Sequence, residues 1–494
     1  MGNVIHGTGF SRGLAAFGSA TFVATAVRAA VVGLAGICLA VNRAAALPAD
    51  FERSAWVVTG SDSPLAMRFA PDGRLFFTEQ AGNIRIIKNG LLLPTPFGRV
   101  NVFKGHREST VGIAMDPDFA HNGYVYVDFL DSADNMCKVS RLKASAANPD
   151  LMEPGSEVVL IDSVTSGGYV GGALTFGKDG MLYIGSGHGQ SQDSTVLFGK
   201  ALRINPNGYP NVVPADNPYI GHAKVRPEIW SFGFREPFTG TTDTVTGNVV
   251  FNDVGGTGFE EVDLIKKAGN YGAEGGCEGN CTKAGMENPW INLPQNQALG
   301  ADGAAVITGG AFYYGHGFPS SYRGAYFYSD WGFQQISYKP VTGPAVLFDK
   351  GPDKVIQLEV GPVDGALYAL KIEGENPPWK GTIQRIRYTG ILGVTPWDGG
   401  SGRGPLGPEH SLFDAGADAP IRFYLGSGPV AEAHVRISDL RGHLIETLDA
   451  MSGATDLTWD FAGQRRLSGM LVYSLEAVPV SGPVLRKQGS LFFR

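Results

Sequence analysis

The sequence predicts an all-β protein: a six-bladed β-propeller followed by a small β-sandwich. Three observations lead there. A turn-and-strand motif recurs six times across more than 300 residues. The 494 residues include 70 glycines and 30 prolines, and only 18% are charged. Glycine is about twice its usual ~7% and charge lies below its usual ~25%, which suits short strands joined by turns rather than long surface helices. The third observation is a change of pattern after residue 388, where a glycine- and proline-rich stretch gives way to a second series of strands.

The motif is clearest between Tyr169 and Gly189. Leu174 and Phe176 alternate before the turn Lys178-Asp179-Gly180, and Leu182 and Ile184 alternate after it. Alternation around Asp-Gly is a strong hairpin signal, because glycine reaches φ > 0 without steric cost. The other copies lie at residues 69–77, 115–127, 243–251, 322–328 and 363–370. Their glycines, at 73, 123, 180, 247, 324 and 365, lie roughly 40 to 80 residues apart, and a four-stranded blade needs about 40 to 50. Six copies are too many strands for one sandwich, so a propeller with long loops is expected. The chain is long enough for two or three domains and a large core.

The ends read differently. Residues 1–46 look like a secretion signal: Arg12 leads, no acid precedes Asp50, and an apolar stretch at 29–41 runs into Ala44-Ala45-Ala46. That stretch is shorter than the ~20 residues a membrane span needs, and Arg28 interrupts any longer one. The net charge of −7 becomes −10 once Arg12, Arg28 and Arg43 leave with the signal. So acidic a chain is a poor partner for nucleic acid or anionic membrane, and no later run could span a bilayer. Cys277 and Cys281 flank Glu-Gly-Asn, a pair that reads as a small-loop disulfide in an exported protein. Zinc would need four ligands. Cys137 reads as a buried thiol. The expected plan is a signal at 1–46, a propeller at 47–390, a linker at 391–410 and a second unit at 411–494.

Several signatures in order carry a resemblance. Ala70-Pro-Asp-Gly-Arg-Leu, Gly112-Ile-Ala-Met-Asp-Pro-Asp-Phe, Gly171-Gly-Ala-Leu-Thr-Phe-Gly and Gly199-Lys-Ala-Leu-Arg-Ile-Asn come first. Pro214-Ala-Asp-Asn-Pro, Gly233-Phe-Arg-Glu-Pro, Glu260-Glu-Val-Asp-Leu-Ile and Gly269-Asn-Tyr-Gly follow. With them, residues 56–390 resemble the glucose/sorbosone dehydrogenase family, six-bladed propellers related to soluble quinoprotein glucose dehydrogenase. The tail, through Asp439-Leu-Arg-Gly, Trp459-Asp460 and Ser468-Gly469, resembles the immunoglobulin-like module of the flagellar hook-capping protein FlgD. That resemblance implies an immunoglobulin-like β-sandwich used for sorting or cell-surface attachment.

The family resemblance implies oxidation of an aldose at its anomeric carbon by pyrroloquinoline quinone (PQQ), held by calcium. The family's general-base histidine falls at Tyr169, and the aspartate of the next loop at His188. The Arg-Asn-Pro signature reads Arg235-Glu236-Pro237, and a cofactor-contacting glutamine falls at Arg107. Arg107, His188, Arg235 and Glu236 are thus the expected cofactor-binding residues. The backbone carbonyls of Gly255 and Gly256 are the expected calcium ligands. Basic residues for the quinone's three carboxylates are not evident near 330–335 or 355–357, and burying carboxylates without cations is costly. An unperturbed tyrosine, near ~10 against ~6.5 for histidine, is a poor base at pH 7, at a penalty of ~4 kcal/mol.

Other residues have bland readings. Glu260 and Glu261 read as a solvated turn before a strand at 262–265. His188 and His316 sit in Gly-His-Gly loops facing the channel, where a lone histidine is more often a loop residue than a ligand. Trp331 and Phe333 read as core packing, with sugar stacking as the alternative. No serine-hydrolase elbow, phosphate loop or dinucleotide fingerprint competes. Three functional classes stand: a quinone-dependent aldose dehydrogenase with a degenerate site, a non-catalytic propeller that binds sugar, polysaccharide or protein, and a structural surface protein. A secreted, periplasmic or cell-surface location suits all three.

Overall fold

The structure, a computed structural model, describes residues 47–389 apart from 61, 104–109, 163–170, 188, 257, 278, 296–305, 316, 352–353 and 375–377, together with the strands between 406 and 493. The segment read as a secretion signal and most of the linker lie outside the described residues.

Six antiparallel sheets make up the ring. Their inner strands are Pro64–Phe69, Thr110–Met115, Gly171–Phe176, Pro237–Thr242, Ile307–Phe312 and Lys354–Val360. They define blades one to six. Each inner strand packs on the next, and the sixth packs on the first. The N-terminal strand Phe51–Gly60 does not begin blade one. It is the outermost strand of blade six, paired antiparallel with Lys380–Tyr388. A backbone ladder therefore joins the two ends of the ring, and opening the ring means breaking that ladder.

Every turn glycine of the sequence motif lies between the first and second strand of its own blade, one to a blade and in order. All six have positive φ, between 64° and 86°. In blades one, three and six an aspartate beside the glycine fixes the turn. Asp179 accepts from Met181 N (3.1 Å), Tyr183 Oη (3.0 Å) and Arg203 Nε (3.0 Å). Asp364 repeats the device in blade six, with Ala366 N (3.0 Å), Tyr368 Oη (2.9 Å) and Arg385 Nη2 (2.6 Å). Burial raises the pKa of both phenols above the ordinary value and keeps them donors.

Apolar side chains fill the joints between blades. Phe76 stands edge-on to Phe97 and Phe119, with centroids 5.3 and 5.8 Å away, where blade one meets blade two. Each such buried side chain contributes roughly 1.5–3 kcal/mol. Cys137 is buried in the core without a disulfide, and Cys277 is bonded to Cys281, both as the sequence suggests.

The axis of the ring carries a feature outside the repeated motif. Arg68, on the inner strand of blade one, pairs with Glu359 of blade six at 2.6 Å. The same guanidinium donates to the carbonyls of Gly240 (3.1 Å), Leu174 (3.3 Å) and Ile113 (3.5 Å). One side chain thus ties its own blade to four others.

Beyond the ring, two more sheets share one core. Leu406–Pro408, Ile421–Leu425 and Asp456–Trp459 form a three-stranded sheet, and five strands between 412 and 493 form the other. Phe423 and Trp459 of the first meet Val435, Ile437 and Leu475 of the second, which makes a two-sheet sandwich. Residues 406–408, read in the sequence as linker, are a strand paired with residues 423–425.

Candidate functional site

The inner strands all run the same way through the ring. Their last residues, Phe69, Met115, Phe176, Thr242, Phe312 and Val360, line one cavity of about 360 Å³ on the hairpin face. Their first residues therefore share the opposite face, the mouth. Second strands end there too, since Ser186 pairs with Gly171, Asp253 with Pro237 and Asp330 with Ile307.

Three of the expected site residues are close in sequence to strand ends at this face. Arg107 comes shortly before the inner strand of blade two, Tyr169 shortly before that of blade three, and His188 just after Ser186. All three lie outside the described residues. His316 does too, but its flanking glycines differ in place. Gly315 and Gly317 pack on Asp364 and Gly365 in the turn of blade six, on the hairpin face. The glycines of the two Gly-His-Gly motifs thus lie toward opposite faces of the ring.

Arg235 and Glu236 are described, and Asp253 organises them. Its carboxylate accepts the backbone N–H of Arg235 (2.9 Å) and of Glu236 (2.5 Å). Val254 N in turn donates to Glu236 O at 2.9 Å. Pro237 then opens the inner strand, at a first-residue position where proline is tolerated. Held in this way, Arg235 folds back on the end of the second strand. Its Nη1 donates to Val254 O (2.9 Å) and to Gly255 O (2.8 Å), and lies 3.7 Å from Glu236 Oε2. The carbonyl of Gly255, expected on calcium, faces a guanidinium.

In this arrangement the oxygens expected on calcium are taken by the guanidinium. A dication sharing them at about 4 Å from it would be repelled by roughly 8 kcal/mol at an effective dielectric of 20, so calcium there would require Arg235 to swing away. A Cβ on Gly255 would fall 1.5 Å from Phe259 O, so only glycine fits at this turn.

Buried acids surround the arginine. Glu260 and Glu261, expected in a solvated turn, lie inside the strand Phe259–Leu264 and are 0% and 5% exposed. Glu260 accepts from Gln295 Nε2 (2.7 Å) and from Ile307 N of blade five (2.8 Å), and burial pushes its pKa up to about 8. Glu261 accepts from Gly279 N, at the tip of the disulfide loop. Asp253, Glu261 and Asp263 bring carboxylate oxygens within 4.8 Å of one another. Burial, then Glu261 and Asp253, raise the pKa of Asp263 well above the usual range, and no described residue donates to it. The oxygen-only trio suits a hard cation, though it supplies three of the six to eight ligands calcium takes. Asp128, at the joint of blades two and three, is also fully buried with no described donor, and burial pushes it up to about 8.

The sequence missed two cations at this face. Lys354 opens the inner strand of blade six with Nζ 4.6 Å from the ring of Trp331. Trp331 is therefore half-buried under a cation, whereas Phe333 is buried as core. Lys200 is fully buried and donates to the carbonyls of Gln190 (3.1 Å), Ser191 (3.0 Å) and Phe198. Burial lowers its pKa to about 8. It gathers the loop after Ser186, which Ser191 ties to Ala273 O (2.6 Å) and Glu274 (2.6 Å) of blade four. The motif Gly199-Lys200 was the available signal for it.

A closed six-bladed ring whose mouth holds cations among buried carboxylates defines the class: a propeller with a polar ligand mouth. The model of the Glucose / Sorbosone dehydrogenase family matches residues 61–375, and the chain belongs to that family. Aldose sugar dehydrogenase YliI of Escherichia coli is 26% identical over 341 residues, 63% of this chain and 88% of that protein. Human Hedgehog-interacting protein is 25% identical over 211 residues, 37% of this chain and 30% of that one. The chain spans about half the length of other curated relatives it matches. The fold also matches the PQQ-bound form of aldose sugar dehydrogenase from Streptomyces coelicolor, with a TM-score of 0.54 at 20% identity over 69% of this chain and 100% of that one.

Proposed function

We propose that the propeller oxidises an aldose sugar at its anomeric carbon, with PQQ bound at the mouth as the oxidant. The observation that carries this reading is the guanidinium of Arg235, anchored at the mouth by Asp253 in a chain of this family. When bound, the quinone would supply the acceptor for the hydride of the anomeric carbon. The chain's own residues have two tasks. Arg235 and Lys354 would hold carboxylates of the cofactor. A base must take the proton of the anomeric hydroxyl as the lactone forms, and the family position for it is Tyr169.

A neutral tyrosine is a weak base, so turnover is expected to be slow at pH 7 and to rise toward alkaline pH. The test is a titration of purified protein with PQQ, followed by aldose oxidation with a dye acceptor between pH 6 and 10. Tyr169→His is expected to raise the rate without restoring a full one. Brisk oxidation at pH 7, lost in Tyr169→Phe, would make Tyr169 a tuned base instead.

The tyrosine at the base position, together with the similarity to Hedgehog-interacting protein, favours one other reading. In it the mouth binds carbohydrate or protein without chemistry. Sugar binding with no PQQ binding would select it. In both readings we take 1–46 as a secretion signal, 391–405 as a linker and the sandwich that follows as a unit for cell-surface attachment.

A further inference from the structure

We propose that the cavity at the hairpin end of the axis is a second binding site, built for a neutral pyranoside. It lies at the opposite end of the inner strands from the mouth and rests on neither reading given above.

The inner strands of blades one to six end on Phe69, Met115, Phe176, Thr242, Phe312 and Val360. Phenyl rings thus fall on alternate blades, one, three and five, around the axis. All three are half-buried and line the cavity. Each packs on a buried tyrosine: Phe69 on Tyr368 (5.0 Å between centroids), Phe176 on Tyr126 (5.1 Å) and Phe312 on Tyr326 (4.9 Å). Rings held in this way offer apolar surface to the C–H groups of a sugar at little cost in side-chain freedom. The volume of about 360 Å³ suits a mono- or disaccharide.

Among the rings stand groups that match hydroxyls. Thr175 Oγ1 and Thr242 Oγ1 lie 3.2 Å apart, so the pair keeps one O–H to donate and lone pairs to accept. Tyr314 Oη donates to Asp243 at 2.8 Å and keeps its own lone pairs. One residue deeper on their strands, Arg68 and Glu359 form the floor as an ion pair at 2.6 Å. Among the described residues, the bonds of Arg68 use four of its five N–H groups and leave one on Nη1, beside the carboxylate. A donor next to an acceptor is what a sugar hydroxyl, itself both, requires. Asp116 also borders the cavity, but Tyr126 Oη (2.7 Å) and Asp118 N (2.9 Å) engage its two oxygens. An ion would meet a floor whose charges already offset each other, whereas a neutral polyol meets complementary partners.

The test uses methyl glucoside, methyl galactoside and methyl mannoside, whose blocked anomeric carbon prevents their oxidation at the mouth. Binding to the full chain is read by saturation-transfer NMR and titration calorimetry, with choline as a cationic probe of an aromatic cage. At least one glycoside is expected to bind wild type, and choline is not. Thr242→Phe puts a fourth ring into the cavity and should abolish binding. Thr175→Val removes one hydroxyl and should weaken binding about fivefold, the loss of one hydrogen bond. Melting curves check that each variant folds. If Thr242→Phe does not, Thr244→Trp covers the cavity from an exposed position on its rim and should abolish binding too. Glycoside binding that survives in a folded cavity-filled variant places the sugar elsewhere and overturns the proposal. Binding of choline without any glycoside overturns it as well, as does binding of none of the four. A failure of PQQ to bind bears on the mouth alone and leaves this result standing.

Discussion

The two faces of the ring are built on different rules. On the hairpin face every blade turns at a glycine with positive φ, and in blades one, three and six an aspartate beside it makes contacts within a few residues, as at Asp179 and Tyr183. On the mouth face the described residues show no such repeat. There buried acids and cations are held by partners far along the chain, such as Glu260 on Ile307 N and Arg235 on Gly255 O. Repetition serves closure of the ring, and irregularity leaves room for a ligand. The contrast can be tested by mutation, beginning at the axis.

The largest effect is expected at Arg68. Removing one partner of a buried ion pair costs about 3–5 kcal/mol, because the other charge is left uncompensated. Arg68→Ala leaves Glu359 buried and strips donors from three carbonyls. Chemical denaturation should show a loss of that order, and Arg68→Ala with Glu359→Gln should recover part of it. A loss below about 1 kcal/mol would mean that the axis is not where the ring is tied.

The next effect belongs to the mouth and depends on pH. Burial raises Asp128 from its ordinary value to about 8. A carboxyl raised in the folded state stabilises it fully below the unfolded pKa of ~4, and loses that contribution as pH climbs to about 8. At about 1.4 kcal/mol per unit, the change amounts to a few kcal/mol. Asp128→Asn carries no proton to lose. It should match wild type near pH 4 and be the more stable protein at pH 8. Glu260 has the same sign and contributes a parallel slope of its own, so Asp128→Asn flattens the profile only in part. Denaturation profiles that stay parallel from pH 4 to 8 would count against a protonated Asp128.

These examples show why one face was legible and the other only partly so. A hairpin is encoded in a run of about ten residues, so six could be recognised and placed in order. The short disulfide was legible for the same reason. Glu260 and Glu261 were misread because their burial depends on neighbours outside their own strand, residue 307 for one and the loop around Gly279 for the other. Lys354 was missed because what marks it is Trp331, twenty-three residues earlier, across the edge of a blade. Arg68 could have been flagged as a charge within an inner strand, but not its four partners.

The disulfide loop offers a smaller test on the mouth side. Linking Cys277 to Cys281 closes a ring of about five residues, for which loop entropy gives about 2 kcal/mol. Cys281→Ser should cost no more than that, and peptide mapping without reductant should show the bond in wild type. The loop's tip donates to Glu261, so a larger loss would mean the disulfide also supports the carboxylate trio.

The smallest effect returns to the hairpins. Gly180 has φ of 76° and nothing within 4 Å of where a Cβ would lie. Gly180→Ala therefore measures backbone strain alone, about 1–2 kcal/mol. Asparagine tolerates that conformation better, so Gly180→Asn should cost less. Gly73 has φ of 85° but would place its Cβ 2.9 Å from a methyl of Val363 in the neighbouring blade. Gly73→Ala should cost more than Gly180→Ala, and trimming the neighbour with Val363→Ala should bring the two together. Equal losses without that second change would mean that blade one and blade six yield at this joint. The hairpin face would then be regular in its turns but loose between its blades.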